Sequence, residues 1–376
     1  MDHLQELKEF ARLHARGQGM RPARAAHVLE QITNDTPGDP RSWARVWTLQ
    51  GDAAARRGDL LDACRHYALA RFPSHADEDR RRAQQLCVAA FDEWRRDRRD
   101  IERLEFAHPD GDVVCWASGL DSKRPRPLLL VMGGIVSVKE QWAPLLPKLR
   151  RLGFAVVVGE LPGVGENTCT YHPDSWRLLP FLLDSLAGRA RTGEASLMAL
   201  SFSGHLALRA AAEDSRIRNV LTVGAPVREF FTDAQWWPRV PRITVETLHR
   251  LTGVRDAAQL RALLGQFALT DEVIRALRIP VRYVASSRDE IIPAAEHALL
   301  SRAQGDVRVK VFDDVHGSPA NLGGTRRWLL SSLLRLQFTG QGRQNAAAGS
   351  GADQAPGRQP ADAGTTSASS MRGNHE

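Results

Sequence analysis

Residues 196–212 read Ser-Leu-Met-Ala-Leu-Ser-Phe-Ser-Gly-His-Leu-Ala-Leu-Arg-Ala-Ala-Ala. Ser196 to Leu200 are a short apolar run of strand type, and from Gly204 the leucines and alanines form a helix with one apolar face. Only a tight turn fits between them, and Ser201 stands on it. A strand that turns at once into a helix, with serine at the apex, is a nucleophile elbow. The turn lifts the hydroxyl clear of its neighbours. It also aims the N–H of Phe202, at the helix start, towards negative charge growing on a bound carbonyl. Strand and helix pass so close that small residues are needed two before and two after the serine. Glycine is usual at both; here Ala199 and Ser203 stand there, followed by Gly204. Both are small enough, although a plain strand–turn–helix capped by Ser203 has the same local pattern.

A serine hydroxyl is a weak nucleophile and needs a base, itself oriented by an acid. In an elbow architecture the order is serine, acid, histidine, at the carboxyl ends of later strands. Pro280 to Ala285 reads as a strand running into Ser286-Ser287-Arg288-Asp289-Glu290-Ile291-Ile292-Pro293, which sets Asp289 just past a strand end. Val307 to Phe312 reads as the last strand, running into Asp313-Asp314-Val315-His316-Gly317. Of the 12 histidines, only His316 follows that strand with a glycine behind it. The expected catalytic set is therefore Ser201, His316 and Asp289, with His172 and His205 set aside as bases.

The second oxyanion donor belongs in the loop after the strand Pro127–Met132, here Gly133-Gly134-Ile135-Val136-Ser137. The N–H of Gly134 or Ile135 would pair with that of Phe202. Glu140 opens the next expected helix and is a candidate to face the pocket, although a carboxylate is favourable in any first turn. The glycine-rich stretch from Gly159 to Glu166 lacks the lysine and threonine of a phosphate-binding loop and reads as a turn beside the site.

Around the elbow, strands and helices alternate. Expected strands are Pro127–Met132, Phe154–Glu160, Val220–Gly224, Pro280–Ala285 and Val307–Phe312; expected helices are Glu140–Leu152, Pro173–Ala190, Ala294–Arg302 and Pro319–Leu336. Before them, residues 101–118 switch to a two-residue period around Pro109-Asp110-Gly111-Asp112, a β-hairpin. This is an α/β fold: a mostly parallel sheet with helices on both faces. The insert at about 228–277, between two strands, reads as a helical lid. Its Phe230, Trp236 and Trp237 are candidate substrate contacts, or simply the lid's own small core. Residues 1–100 show helical periodicity only and are read as a cap domain, residues 101–338 as the sheet domain. Residues 339–376, rich in Gly, Ala, Gln, Ser and Pro, are read as a disordered tail.

A chain 43% hydrophobic and 25% charged has the balance of a globular protein. The net charge of +7 does not point to nucleic acid. Of the 51 basic residues 46 are arginines spread along the chain, and the densest run, Arg95-Arg96-Asp97-Arg98-Arg99-Asp100, is interleaved with acids. The four cysteines, at 64, 87, 115 and 169, show neither metal-ligand nor disulfide spacing. No basic-then-apolar leader opens the chain, and no apolar run approaches the roughly 20 residues that span a bilayer. A cytoplasmic protein with reduced thiols is expected. Its partner is expected to be a small-molecule substrate, with no nucleic acid, membrane, metal or organic cofactor; a homodimer stays open.

Residues 127–336 resemble an α/β-hydrolase through Pro162-Gly163-Val164-Gly165, the Ser201 elbow, Asp289-Glu290-Ile291-Ile292-Pro293 and His316-Gly317-Ser318-Pro319, in that order. With the helices of residues 40–95 and the hairpin, the chain is similar to the branch of the fermentation–respiration switch esterases and dihydroxypseudooxynicotine hydrolase. That resemblance implies hydrolysis of an ester, or of a carbon–carbon bond next to a ketone, without a cofactor. It also implies that the helical N-terminal segment helps to cover the pocket. The departures are Ala199 and Ser203 where glycines are usual. A non-catalytic interaction protein on a hydrolase shell is the alternative, and a peptidase lacks the long N-terminal region that would restrict access.

Overall fold

In this computed structural model residues 3–349 are described, with side chains up to residue 337. The chain opens with five helices, α1 (His3–Gly17), α2 (Pro22–Gln31), α3 (Trp43–Arg56), α4 (Leu60–Ala70) and α5 (Glu78–Arg96). Leu7, Ala11 and Ala15 recur at helical spacing on α1 and bury against Val28, Leu29, Trp43, Trp47, Leu69 and Phe72. Trp43 is fully enclosed, and its indole N–H donates to the Leu69 carbonyl at 2.8 Å. A buried indole needs such a partner.

The hairpin strands β1 (Glu102–His108) and β2 (Gly111–Ser118) are antiparallel. Then come β3 (Pro127–Met132), α6 (Leu146–Arg151), β4 (Ala155–Gly159), α7 (Leu178–Ser185), β5 (Arg191–Ala199), α8 (Phe202–Glu213) and β6 (Ile217–Val223). The lid inserts α9 (Glu229–Thr232), α10 (Arg242–Thr252), α11 (Ala257–Gly265) and α12 (Asp271–Ala276). β7 (Val281–Ser286), α13 (Glu296–Leu299), β8 (Val307–Phe312) and α14 (Leu322–Gly349) complete the described chain. The sheet runs β1-β2-β4-β3-β5-β6-β7-β8, parallel from β4 to β8. β3, β4 and β7 are buried along their whole length, as parallel strands covered on both faces must be. β5 lies between β3 and β6, with Met132 beside Ala199 in register. The loop after β3 therefore emerges next to the turn after β5.

Four helices differ from the sequence reading, among them the expected Ala294–Arg302, which is the four-residue α13 followed by a 3₁₀ turn, Leu300–Arg302. The expected Glu140–Leu152 helix is two 3₁₀ turns, Lys139–Gln141 and Ala143–Leu145, ahead of the short α6. Pro144 and Pro147 lack the N–H groups that a continuous α-helix needs. The expected Pro173–Ala190 helix begins as a 3₁₀ turn and stops at Ser185, three residues before Gly188 at φ 83°. α14 runs beyond Gly340 to Gly349, so the stretch read as a tail from residue 339 begins as helix. A helix already nucleated extends at little cost through Ala346-Ala347-Ala348. Residues 350–376, the remainder of that expected tail, lie outside the described residues.

The chain up to Leu333 forms one compact unit, and a second begins at Leu334. The helical segment and the sheet thus share one body, where the sequence reading separates a cap domain from a sheet domain. Among the described residues no helix is long and apolar enough to cross a membrane.

Candidate active site

Ser201 has φ 54° and ψ −129°, a conformation that residues with a side chain rarely adopt. Its neighbours hold it there. The Leu200 N–H donates to the Met132 carbonyl at 2.9 Å and the Ser201 N–H to the Val223 carbonyl at 2.8 Å. Gly204 is the close-approach glycine: a Cβ on it would run into the Thr222 hydroxyl and come within 2.7 Å of the Ala225 methyl. Ser203, where glycine is usual, is fully buried and donates its hydroxyl to the Gly133 carbonyl.

The Ser201 Oγ lies 3.0 Å from Nε2 of His316. On the far side of the ring, Nδ1 lies 3.0 and 2.9 Å from Oδ1 and Oδ2 of Asp289. Asp289 Oδ1 also accepts the N–H groups of Ile291 and Ile292, at 3.0 and 2.8 Å. The backbone N–H of His316 donates to Glu290 Oε2 at 2.9 Å, so the acid loop grips the histidine loop at two points. Asp314 steadies that loop from below by accepting from the Ala320 N–H and the Asn321 side chain. Burial pulls the His316 imidazole down, but the Asp289 charge and hydrogen bond outweigh it, leaving its pKa above the ordinary histidine value. Gly224, at φ 57°, gives the ring its room: a Cβ there would stand 2.7 Å from Cε1 of His316.

The loop after β3 passes directly over the elbow. A Cβ on Gly134 would stand 2.9 Å from Ser201 Cβ and 3.3 Å from its Oγ. Among the described residues the N–H groups of Gly134, Ile135 and Phe202 have no acceptor. Phe202 is the first residue of α8, where helix N–H groups lack intrahelical partners. Gly134 lies against Ser201 and Phe202 follows it in the chain, so unpaired N–H donors adjoin the hydroxyl.

The other sequence candidates lie further out. Phe230 is fully buried and packs edge-to-face on Phe202, ring centres 5.1 Å apart, so it supports the elbow from beneath. Trp236 is half-buried and donates its indole N–H to the Ile291 carbonyl at 2.8 Å, tying the lid to the acid loop. Trp237 lies 5.7 Å from Phe230 and carries the Arg261 guanidinium over its ring. Glu140 does not face the pocket. It is 2% exposed, accepts from the Trp116 indole at 2.8 Å and pairs with Lys139 at 2.9 Å. The reason is local: the 3₁₀ turn turns its carboxylate inward to meet a buried ammonium. His205 is enclosed within α8 with Nδ1 on the Pro226 carbonyl, and His172 caps the 3₁₀ turn Pro173–Arg177.

Sequence reading missed the charge cluster beneath the loop. Lys139, fully enclosed, reaches Glu140, Glu160 and Glu166 at 2.9, 3.3 and 2.6 Å, and Arg103 pairs with Glu166 at 2.9 Å. Burial disfavours the ammonium, yet the three carboxylates keep its pKa above the usual lysine value. One signal was present: a lysine beside a glycine-rich loop, in a chain whose basic residues are almost all arginine.

Comparison with known proteins gives one consistent result. A family model described as Esterase FrsA-like matches residues 42–316. The chain is similar to the Esterase FrsA of Vibrio cholerae serotype O1, at 22% identity over 87% of this chain and 88% of that one. Among solved structures it is similar to AbyA5, at 50% identity and a TM-score of 0.86, covering 90% of this chain and 95% of that one. It is also similar in fold to 2,6-dihydroxy-pseudo-oxynicotine hydrolase, at 18% identity and a TM-score of 0.68 over 86% and 94% of the two chains.

Proposed function

Because the chain belongs to the Esterase FrsA-like family of α/β-hydrolases, we propose that its hydrolysis runs on Ser201, His316 and Asp289. The substrate is a small acyl, aromatic or polyketide-type molecule with an ester, a thioester or a carbon–carbon bond beside a ketone. One observation carries this reading: the unbroken chain of short contacts from Ser201 Oγ through the His316 ring to Asp289, on a serine at positive φ.

His316 Nε2 takes the Ser201 proton as Oγ adds to the carbonyl carbon. Asp289 holds Nδ1–H and offsets the charge that the imidazole gains. The carbonyl electron pair moves to oxygen, and the N–H groups of Phe202 and of Gly134 or Ile135 stabilise that oxyanion. His316 returns the proton to the leaving group as the scissile bond breaks, leaving an acyl-serine. Water then repeats the sequence: His316 takes its proton, the hydroxide adds, and Ser201 leaves with the proton restored. Phe230, Trp236 and Trp237 remain the candidate substrate-side residues, Phe230 packed on the elbow and Trp236 and Trp237 on the insert.

The test is capture by a fluorophosphonate. The adduct is expected on Ser201, and Ser201→Ala is expected to lose both the adduct and turnover of acyl esters and thioesters. An adduct on Ser203 alone, or turnover retained in Ser201→Ala, overturns the assignment.

A further inference from the structure

Arg71 follows α4 in the helical segment, far in sequence from the catalytic loops, and is 1% exposed. Its Nη2 donates to the Val136 carbonyl and its Nη1 to the Pro73 carbonyl at 3.1 Å, while Nε has no partner. Among the described residues no carboxylate stands within ion-pair distance of it. Burial disfavours the guanidinium more than the charges of Glu160 and Glu140, beyond ion-pair distance, favour it, so a neutral donor would serve better if the loop needed only a cap. We propose that Arg71 is a positioning residue for the oxyanion loop.

The link can be followed peptide by peptide. In a trans peptide the C=O of one residue and the N–H of the next point in opposite directions. Arg71 holds the Val136 C=O, which turns the Ser137 N–H the other way, and that N–H donates to the Gly134 carbonyl at 3.1 Å. Fixing the Gly134 C=O in turn directs the N–H of Ile135, one of the donors beside Ser201. Ser203 holds the Gly133 C=O in the same manner and so directs the N–H of Gly134. Ser203 sets one end of the loop from the elbow helix, and Arg71 sets the other from the helical segment.

His14 belongs to the same arrangement. Its ring lies 4.8 Å from that of Phe72, the residue after Arg71, and α1 also packs on the 3₁₀ turn Pro319–Asn321 that follows the histidine loop. Burial first, then the Arg71 and His316 charges, push His14 down to about 4. It therefore stays neutral in the native protein at working pH.

This inference rests on Ser201 as nucleophile, and Ser201→Ala is run in parallel for that reason. In Arg71→Met, kcat is expected to fall about 10- to 100-fold with KM within about threefold, because misplacing an oxyanion donor acts on the transition state alone. The rate of fluorophosphonate capture should fall by a similar factor, since the tetrahedral adduct places its oxygen in the same hole. A folded Arg71→Met with kcat and capture rate intact, or with KM alone raised, overturns the proposal. If Arg71→Met fails to fold, Arg71→Lys is read in its place. It keeps the charge but cannot span two carbonyls, and an unchanged kcat again refutes positioning. Full turnover in Ser201→Ala refutes the nucleophile assignment itself, and the loop's role with it.

Discussion

The elbow concentrates its demands on Ser201, Ser203 and Gly204. Ser201 pays for a strained backbone only because Gly204 lets α8 close against β6 and the loop after it. Gly204→Ala should destabilise the protein by about 2–3 kcal/mol through overpacking, read as a drop in the denaturant midpoint. Ser203→Ala removes a buried donor from the Gly133 carbonyl and should cost about 1–3 kcal/mol together with part of kcat. Acid should act through His316. As the proposed base it must be neutral, and its pKa lies above the ordinary value, so kcat/KM should decline as pH falls through that raised value. In Asp289→Asn that limb should move to lower pH, with kcat down by about 10³- to 10⁴-fold. The three side chains were legible in sequence because each follows a strand, and strand ends of a parallel sheet line up on one rim. Glu140 was less legible: Lys139 stands next to it in the chain, but nothing local shows that the 3₁₀ turn buries the pair together.

At the scale of elements, the lid is fastened where it leaves the sheet. Glu296 on α13 is fully buried and accepts the N–H groups of Arg228 and Phe230 at 2.8 and 2.7 Å, at the start of α9. Burial raises its pKa, against the pull of those donors. Glu296→Ala leaves the donors bare; hydrogen exchange at residues 228–231 should accelerate before any global unfolding is seen. α8 carries a different liability in His205, which burial pushes down to about 4. A depressed histidine contributes stability above the unfolded value near 6.5 and loses it as pH falls. The stability advantage of the native protein over His205→Gln should therefore shrink between pH 6.5 and 4, by at most about 3 kcal/mol. Strands were easier to read than helices here. Their apolar runs are continuous, whereas Pro144 and Pro147 divide an apparent helix whose apolar periodicity alone gives no warning.

Across the whole molecule, the segment that sequence reading separates is joined to the catalytic half by specific bonds. Glu6 on α1 accepts the N–H of Ile243 at 2.7 Å, at the start of α10, and Ile243 itself packs with Leu7 and Trp43. Calorimetry should accordingly give a single endotherm; two resolved transitions would count against a shared core. In Glu6→Ala the Ile243 amide should exchange on the order of tenfold faster, with little change in the melting temperature. Composition could not reveal this union, since helical periodicity shows which face of a helix is apolar but not what that face meets.

Gly224 has a practical consequence for anyone altering this catalyst. The imidazole rests on bare backbone at that position, and the backbone there is left-handed as well. Saturation libraries spanning the rim should return the parental codon at 224 almost without exception, whatever reaction is selected. Diversity is better spent on neighbouring positions whose backbone carries no catalytic ring.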